Sequence, residues 1–426
     1  MSMLIMMICL FLLILLSVPI AYSLGASGLL YLLLEQPAFI STLPQRVWSG
    51  TNSFVIIAMP LFILAGELMN RGGLTRRLIN FSLLTVKPIR GGLGEVNVVA
   101  SMIFGGISGS SVADTSALGS VLIPNMIKKG YSKGFATGIT VASSTMGMII
   151  PPSVPMLMYA MISGASVGKL FLAGMIPGIL IGFSQLVLVY FYSARKGYHP
   201  PREKVSFQEI SKTTRDGLLA IVMPLVIVLS VSTGVATASE SAGIAVLYSL
   251  ILGFFLYKEL TVKDMPGILK KTVMMSSSIM IIVGFSMIFT WILAVEQIPA
   301  MVANFIMGLE IHRFWILLFI DILILFVGTF VDVAPALLLL CPILLPVMGF
   351  FGVDELQFGA IMITGLAIGL VTPPVGMCLN AANKICGMPI MDIFKSALPF
   401  IICNVMVLLL VTYVPEISTW LPSLFM

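Results

Sequence analysis

Long segments that are apolar on every side constrain this chain more than any other feature. Residues 1–23, 170–193 and, apart from Asp321, 314–329 are apolar around their whole circumference. About 20 such residues cross the hydrocarbon core of a bilayer as an α-helix, whereas the strands of a membrane barrel alternate apolar and polar residues. We therefore predict an all-α polytopic membrane protein whose surroundings are a phospholipid bilayer.

The composition excludes several other classes of protein. Of the 426 residues, 59% are hydrophobic, and only 23 are basic and 18 acidic, which leaves no room for a large soluble domain. The net charge of +5 comes from short basic clusters between apolar runs, so no nucleic-acid partner is expected. Five cysteines and two histidines lack metal-ligand spacing, and neither a disulfide framework nor a zinc site is predicted. The first apolar run has no basic segment before it, and we interpret it as a retained helix rather than a signal peptide.

Basic clusters predict the orientation of the chain. Four segments are rich in Lys and Arg, with five such residues in 71–90, three in 128–133, six in 195–215 and four in 258–271. Loops rich in Lys and Arg are retained in the cytoplasm. All four segments are therefore predicted to be cytoplasmic.

Two polar, glycine-containing stretches interrupt the apolar pattern. Residues 91–127 contain no Lys or Arg and lie between two cytoplasmic clusters, and their middle, 105–114, is too polar to face lipid. A re-entrant helical hairpin fits this pattern, because its tip is buried inside the protein. A similar stretch lies between Arg313 and Asp354, with acidic flanks and a polar middle at residues 327–335. We predict a second hairpin that enters from the opposite face.

An internal repeat relates the two stretches. A shift of 222 positions superposes Pro151-Pro152 on Pro373-Pro374, Gly147 on Gly369, Gly106 on Gly328, Pro124 on Pro346 and Pro177 on Pro399. Each Pro-Pro pair should break a helix, because proline donates no hydrogen bond and disfavours helical geometry before it. Opposed hairpins would make this an inverted repeat, a plan common among secondary transporters. Its tips and breaks free backbone carbonyls that suit a hard monovalent cation such as sodium.

Two carboxylates near the predicted tips have both a functional and a structural interpretation. Asp332 is isolated within an apolar stretch, which favours function, although it could also cap the following helix. Asp114 is equally compatible with a site residue and with a capping partner of Ser111.

Three further carboxylates are predicted to be structural. Thr237 and Glu240 have the spacing of a capping box, which is favoured over a role with substrate. Asp321 and Glu67 lie in apolar helices and are predicted to be pairing or interface residues remote from the site.

Several motifs resemble the large membrane subunit (M subunit, DctM-like) of tripartite ATP-independent periplasmic (TRAP) transporters. The motifs are Gly91-Gly92-Leu93-Gly94, Ser108-Gly109-Ser110-Ser111-Val112-Ala113-Asp114, Ile150-Pro151-Pro152-Ser153, Lys169-Leu170-Phe171-x-Ala173-Gly174-x-x-Pro177-Gly178, Thr237-Ala238-Ser239-Glu240-Ser241-Ala242 and Thr372-Pro373-Pro374-Val375-Gly376. The resemblance covers nearly the whole chain. The family commonly has Thr-Pro-Thr-Glu-Ala where this chain has Thr237 to Ser241, so a proline is missing at that helix start.

The resemblance implies an elevator-type transporter, driven by sodium, that imports an organic acid across the bacterial inner membrane. Similar proteins carry C4-dicarboxylates, sialic acid, other sugar acids, keto acids and sulfonates. Two partners are implied, a small four-helix membrane subunit, expected as a separate chain, and a soluble periplasmic substrate-binding protein. No catalytic residue is expected.

The resemblance also implies the site residues. The first of two sodium sites would involve Gly106, Ser108, Ser110, Ser143 and Ser144, and the second Gly328, Thr329, Asp332, Gly365 and Thr372. Substrate contacts are expected from Ser111, Asp114, Pro151, Ser153, Pro373 and Gly376.

The implied organisation has four parts. Residues 1–90 form N-terminal scaffold helices, 91–194 the first repeat, 195–310 a cytoplasmic loop with further scaffold helices, and 311–426 the second repeat. Within each repeat, the hairpin and broken helix belong to a moving transport domain.

Three other functions compete with transport by symport. A primary pump is rejected, because residues 164–170 lack the glycine spacing and the Ser or Thr of a nucleotide-binding loop. An intramembrane aspartyl protease would need Asp114 and Asp332 adjacent and sharing a proton. A passive organic-anion channel would not need two opposed hairpins.

Overall fold

The computed structural model describes residues 2–86, 91–198, 207–308 and 311–425, and these ranges contain helices and no strand. The predicted domain limits at residues 90 and 310, and the basic residues within 87–90 and 199–206, lie outside them. By length and composition, seven helices of the described part can cross a membrane, or nine if each of two bent pairs is one span. The prediction of an all-α polytopic membrane protein is confirmed.

The helices fall into four consecutive groups. The first group is α1 (Ser2–Leu15), α2 (Ile20–Glu35), α3 (Leu43–Thr51), α4 (Phe54–Arg71) and α5 (Leu74–Val86). The second is α6 (Leu93–Ser108), α7 (Ser111–Lys128), α8 (Lys133–Ser143), α9 (Met146–Ile149), α10 (Val154–Ser163) and α11 (Val167–Lys196). The third is α12 (Phe207–Ser232), α13 (Ala238–Ile251), α14 (Met265–Val295) and α15 (Ile298–Gly308). The fourth is α16 (Arg313–Phe330), α17 (Val333–Phe350), α18 (Glu355–Gly369), α19 (Met377–Cys386), α20 (Ile390–Tyr413) and α21 (Glu416–Phe425). Short 3₁₀ helices at Pro37–Thr42 and Val262–Asp264 and a π-helical turn at Leu252–Leu256 complete the described helical structure.

The second and fourth groups are the two copies of the repeat. Helices α7 and α17 both begin and end 222 positions apart, which is the offset found in the sequence. Each copy is a helical hairpin, then a helix broken at Pro-Pro, then a long helix. In the first copy, the broken helix bends by 41° at the break before α10.

The two copies run in opposite directions, as contacts with α20 demonstrate. Gly134 and Gly138 of α8 lie against Ser396, near the start of α20. Gln357 of α18 instead donates from Nε2 to the carbonyl of Val411 at 3.0 Å, near the end of α20. The 24 residues of α20 span about 36 Å. The equivalent helices α8 and α18 therefore begin at opposite ends of α20.

Each hairpin follows the direction of its own broken helix. In the first copy, Asn97 Nδ2 donates to Thr140 Oγ1 at 2.6 Å, and one turn later Ser101 and Ser143 share a hydrogen bond of 2.8 Å. Helices α6 and α8 are therefore parallel. In the second copy α16 and α18 are parallel by the same argument, because Gly365 faces Ile324 and Gly369 faces Gly328. The hairpins approach from opposite directions, and the predicted inverted repeat is confirmed.

The first and third groups pack together around α14. Helix α14 contacts α2, α3 and α4, while α4 also packs on α13 and α5 on α12. Glu67 pairs with Lys271 across the α4–α14 contact at 2.6 Å, which confirms its prediction as a pairing residue.

The helix that follows Thr237 begins without the proline common in the family. Thr237 N donates to Glu240 Oε2 at 2.7 Å, and Glu240 N donates to Thr237 Oγ1 at 3.3 Å. This reciprocal pair is a capping box, which confirms the structural interpretation of Glu240.

Candidate functional site

The first hairpin tip rests directly on the backbone of the first broken helix. Helix α6 ends at Gly109, whose φ of 61° lies in the left-handed region. A Cβ added to Gly109 would lie 3.2 Å from the amide nitrogen of Val154, and one on Gly105 would lie 3.0 Å from Gly147 Cα. Small residues permit this close approach of two membrane helices. The tip and the break therefore form one unit.

Asp114 lies at the centre of this unit and is fully buried. Its Oδ1 accepts a hydrogen bond from Ser108 Oγ. Its Oδ2 points at Gly147, where a Cβ would overlap it, and it has no hydrogen-bond partner among the described residues, as is also true of Ser111 Oγ. A buried polar group without a partner is costly. These two oxygens, one helical turn apart, are therefore available as acceptors.

The capping interpretation of Asp114 is wrong. The N-cap of α7 is Ser110, one residue before the expected position, and its side chain accepts from Ala113 N at 3.4 Å. Since the N-cap role belongs to Ser110, the Asp114 carboxylate is free to act in the site.

The remaining residues predicted for the first copy lie around the unit but face different ways. Gly106 lies against the carbonyl of Pro151, with 3.0 Å between that oxygen and a Cβ added to the glycine. Ser143 faces α6 and its hydroxyl bonds to Ser101. Ser144 Oγ donates to the Val141 carbonyl at 2.7 Å. Ser153 caps α10 by accepting from Met156 N at 3.4 Å.

The second hairpin tip also rests on its own break. Val375 N donates to the carbonyl of Thr329 at 3.3 Å, and a Cβ on Gly369 would overlap the backbone of Gly328. Thr372 Oγ1 donates to the Ile368 carbonyl at 2.9 Å. Tip and break are thus joined by a hydrogen bond and by backbone packing.

Asp332 has a structural role in the second tip. It is the N-cap of α17 and accepts from Val333 N through Oδ1 at 2.8 Å. Ser110 occupies the same position in the first copy. A carboxylate has about four lone-pair sites, so this half-buried side chain keeps acceptor capacity for a further ligand.

The two breaks differ in their exposure. Residues 150–153 are buried at the first break, whereas Pro373 is half-buried and Pro374 and Val375 are exposed at the second. Gly376, with a φ of 52°, then begins α19. Of the two breaks, the second is the one open to a ligand.

Cys378 is a residue that the sequence patterns did not indicate. It lies in the first turn of α19, fully buried, and its amide donates to the carbonyl of Leu370 at 3.1 Å. Its thiol lies beside the hydroxyls of Thr115 and Ser144 of the first copy, and α19 packs on α7. The two tip-and-break units therefore meet at this turn.

The chain belongs to a known family of membrane transporters. The family model described as the DctM component of the tripartite ATP-independent periplasmic transporter matches residues 7–417. The family consists of transporter permeases, so this chain is not an enzyme, and the aspartyl protease alternative is wrong.

Curated relatives match over nearly their whole length. The sialic acid TRAP transporter large permease SiaM of Vibrio cholerae is 37% identical over 96% of this chain and 95% of its own. The C4-dicarboxylate TRAP transporter large permease DctM of Pseudomonas aeruginosa is 36% identical over 94% of each. The fold also resembles the crystal structure of the Alcanivorax borkumensis YdaH transporter, with a TM-score of 0.60, 14% identity and 88% coverage of both chains.

Proposed function

We propose that this chain is the large permease of a sodium-coupled symporter that imports an organic acid. The observation that supports it most is the pair of opposed tip-and-break units, each with a carboxylate that has acceptor capacity left. Asp114 Oδ2 in the first unit has no hydrogen-bond partner among the described residues. Asp332 in the second uses one oxygen for its cap.

Each unit offers oxygens of the kind that sodium takes. The first has Asp114 Oδ2 and Ser111 Oγ, which the resemblance implies as substrate contacts and which we assign to sodium instead. We make this assignment because the hydroxyls of Ser143 and Ser144 are already hydrogen-bonded. The second has Asp332 together with backbone carbonyls at the break. One carboxylate per site neutralises one sodium ion. The two sites then present little net charge to the surrounding hydrocarbon.

The same arrangement favours an anionic substrate. Helices α7, α10, α17 and α19 all begin at a tip or a break. A helix N-terminus carries a partial positive charge that attracts a carboxylate. Sialic acid and C4-dicarboxylates, carried by the two relatives, are both carboxylic acids, so the substrate class proposed here is a small organic acid.

Elevator movement is the proposed mechanism. The hairpins and broken helices would move as one body against a scaffold formed by the first and third helix groups. One contact between these bodies involves a glycine facing main-chain atoms. A Cβ on Gly66 of α4 would lie 3.1 Å from the Ile107 carbonyl oxygen of α6. At this point the two bodies approach each other without an intervening side chain.

The partners and the location follow from the tripartite family. We propose a small four-helix membrane subunit beside the scaffold and a soluble binding protein that delivers substrate from the periplasm. The permease would then reside in the bacterial inner membrane.

Uptake into proteoliposomes tests the proposed function. The vesicles contain this chain, its small partner and the cognate binding protein, and they are given an inward gradient of either sodium or potassium. Uptake should require sodium and should depend on its concentration with a Hill coefficient above 1. Equal uptake in potassium would support a passive channel and contradict the proposal.

A further inference from the structure

A buried polar cluster outside the two tip-and-break units joins α16, α18 and α20. Asp321, Gln357 and Thr412 are 2%, 1% and 1% exposed. Thr412 connects the other two, because its hydroxyl lies 3.1 Å from Asp321 Oδ1 and its carbonyl accepts from Gln357 Nε2 at 3.0 Å. Asp321 is about 12 Å along α16 from Thr329. The cluster is therefore separate from the second tip.

With an ionised Asp321, the cluster has too few hydrogens for its acceptors. Gln357 donates to the carbonyls of Val411 and Thr412, both at 3.0 Å, so its amide orientation is fixed and its Oε1 can only accept. The Thr412 hydroxyl has one hydrogen but two acceptors in reach, the Leu408 carbonyl at 3.0 Å and Asp321 Oδ1 at 3.1 Å. Asp321 Oδ2 and Gln357 Oε1 are buried without a partner in the part of the chain that the structure describes.

We propose that Asp321 is a proton-binding site. A hydronium ion of the surrounding solution gives up its proton, leaving water, and an O–H bond forms at Asp321 Oδ1. This O–H donates a hydrogen bond to Thr412 Oγ1, and the Thr412 hydroxyl then donates its own hydrogen bond to the Leu408 carbonyl oxygen. The Asp321–Thr412 and Thr412–Leu408 contacts then each contain one hydrogen, and the carboxyl group is neutral. An unpaired charge within the membrane is expensive, so the neutral form fits this position.

A sodium ion fits the cluster less well than a proton. It would find only two free side-chain oxygens among the described residues of the cluster, Asp321 Oδ2 and Gln357 Oε1. Even with the Thr412 hydroxyl oxygen as a third ligand, the side chains of the cluster supply few oxygens for a metal ion. A proton needs only the acceptor that Thr412 supplies.

Two titratable side chains, Cys341 and Cys403, lie in the middle of α17 and α20. The other charged and titratable groups on the surrounding helices lie towards the helix ends. They are Arg313 on α16, Asp332 before α17, Asp354 and Glu355 at the start of α18, Asp392, Lys395 and Tyr413 on α20, and Glu416 on α21. Arg313, Asp354 and Glu355 are exposed, and the Tyr413 hydroxyl donates to the Phe314 carbonyl at 2.9 Å. Asp321 accepts its hydrogen bond from Thr412 and not from any of these groups.

The functional consequence rests on the proposed function, since it assigns α16 and α18 to the moving body. A neutral Asp321 lets that body cross the hydrocarbon without an unpaired charge. Loss of the proton should stop the movement. Uptake should therefore fall at alkaline pH, by about tenfold per pH unit once the site titrates, because a single proton is involved.

Infrared spectroscopy of the purified protein tests the protonation independently of transport. Asp321→Asn should remove one band of a protonated carboxyl group from the wild-type spectrum, and the control Glu67→Gln should retain that band. Thr412→Val should move the band to higher frequency, because the acceptor is lost. Identical carboxyl bands in the wild type and Asp321→Asn would overturn the proposal.

The pH dependence of uptake tests the consequence. Asp321→Asn mimics the protonated carboxyl, so it should transport at neutral pH with wild-type sodium dependence and should lack the alkaline decline. Glu67→Gln should keep that decline. An unchanged alkaline decline in Asp321→Asn would contradict the proposal, and a raised sodium requirement would make the cluster a sodium site. Should the wild type show no sodium-driven uptake, the proposed function fails while the infrared result still decides the proton site.

Discussion

The two tip-and-break units have the same backbone plan and place their charge differently. In the first unit the carboxylate, Asp114, lies one turn inside α7, and an uncharged Ser110 caps the helix. In the second unit Asp332 is itself the cap, and the residue equivalent to Asp114 is Ala336. The first break is buried, and the second is partly exposed. Each copy thus keeps one carboxylate near its tip, while the surroundings decide whether that carboxylate is enclosed or open.

The largest effect is expected from a methyl group at the glycines of the two breaks. Gly369→Ala would push against the backbone of Gly328, whereas Gly147→Ala would push against the side chain of Asp114. Both variants should prevent correct folding, measured as the loss of monodisperse protein after extraction. Asp114→Ala should rescue Gly147→Ala, because it removes the obstructing group. No substitution of a side chain should rescue Gly369→Ala, and equal rescue of both would remove the proposed difference between the units.

Asp114→Asn should cause the next largest loss, measured as the sodium concentration for half-maximal uptake. A contact between a carboxylate and a cation is worth on the order of 4 kcal/mol at an effective dielectric near 20, before desolvation. Because Asp114 is enclosed, screening by water is small, and at least half of this is expected to remain. This corresponds to roughly thirtyfold weaker sodium binding. Wild-type sodium dependence would exclude Asp114 as a ligand.

Asp332→Asn should have a smaller effect in the same assay. Asparagine caps helices about as well as aspartate, so the fold of α17 should be kept while the charge is removed. The side chain is only half-buried, and about a third of the same contact energy gives roughly tenfold weaker sodium binding. Normal sodium dependence in this variant would reduce Asp332 to a helix cap.

Ser110→Ala should have the smallest effect. It removes an N-cap without changing the charge of the first unit, and such a loss costs about 1 kcal/mol of stability. Thermal unfolding in detergent should show the lower stability, while the sodium dependence of uptake stays near that of the wild type. A large change in sodium dependence would make Ser110 a ligand as well as a cap.

The sequence was sufficient for the architecture, because its main signals are local. The two Pro-Pro pairs stand at the breaks, whereas single prolines such as Pro124 and Pro346 lie inside α7 and α17. The repeat offset of 222 reappears in the bounds of these two helices. The capping box at Glu240 is equally local and was predicted correctly.

The chemistry around Asp114 depends on contacts that no local pattern contains. The capping alternative for Asp114 was wrong by one residue, because Gly109 ends α6 and leaves Ser110 as the N-cap. The free oxygen of Asp114, Oδ2, faces Gly147, and this glycine lies in the broken helix that follows the hairpin. Cys378 lies between the two units only because α19 folds back onto α7.

Membrane sidedness of the two hairpins tests the central claim most directly. Single cysteines at Lys129 and Asp354, both exposed and each just after the second arm of a hairpin, would be introduced into a background without the five native cysteines. Membrane-impermeant reagents should label Lys129→Cys from the cytoplasm and Asp354→Cys from the periplasm. Labelling of both from the same side would contradict opposed entry of the hairpins, and with it the elevator mechanism.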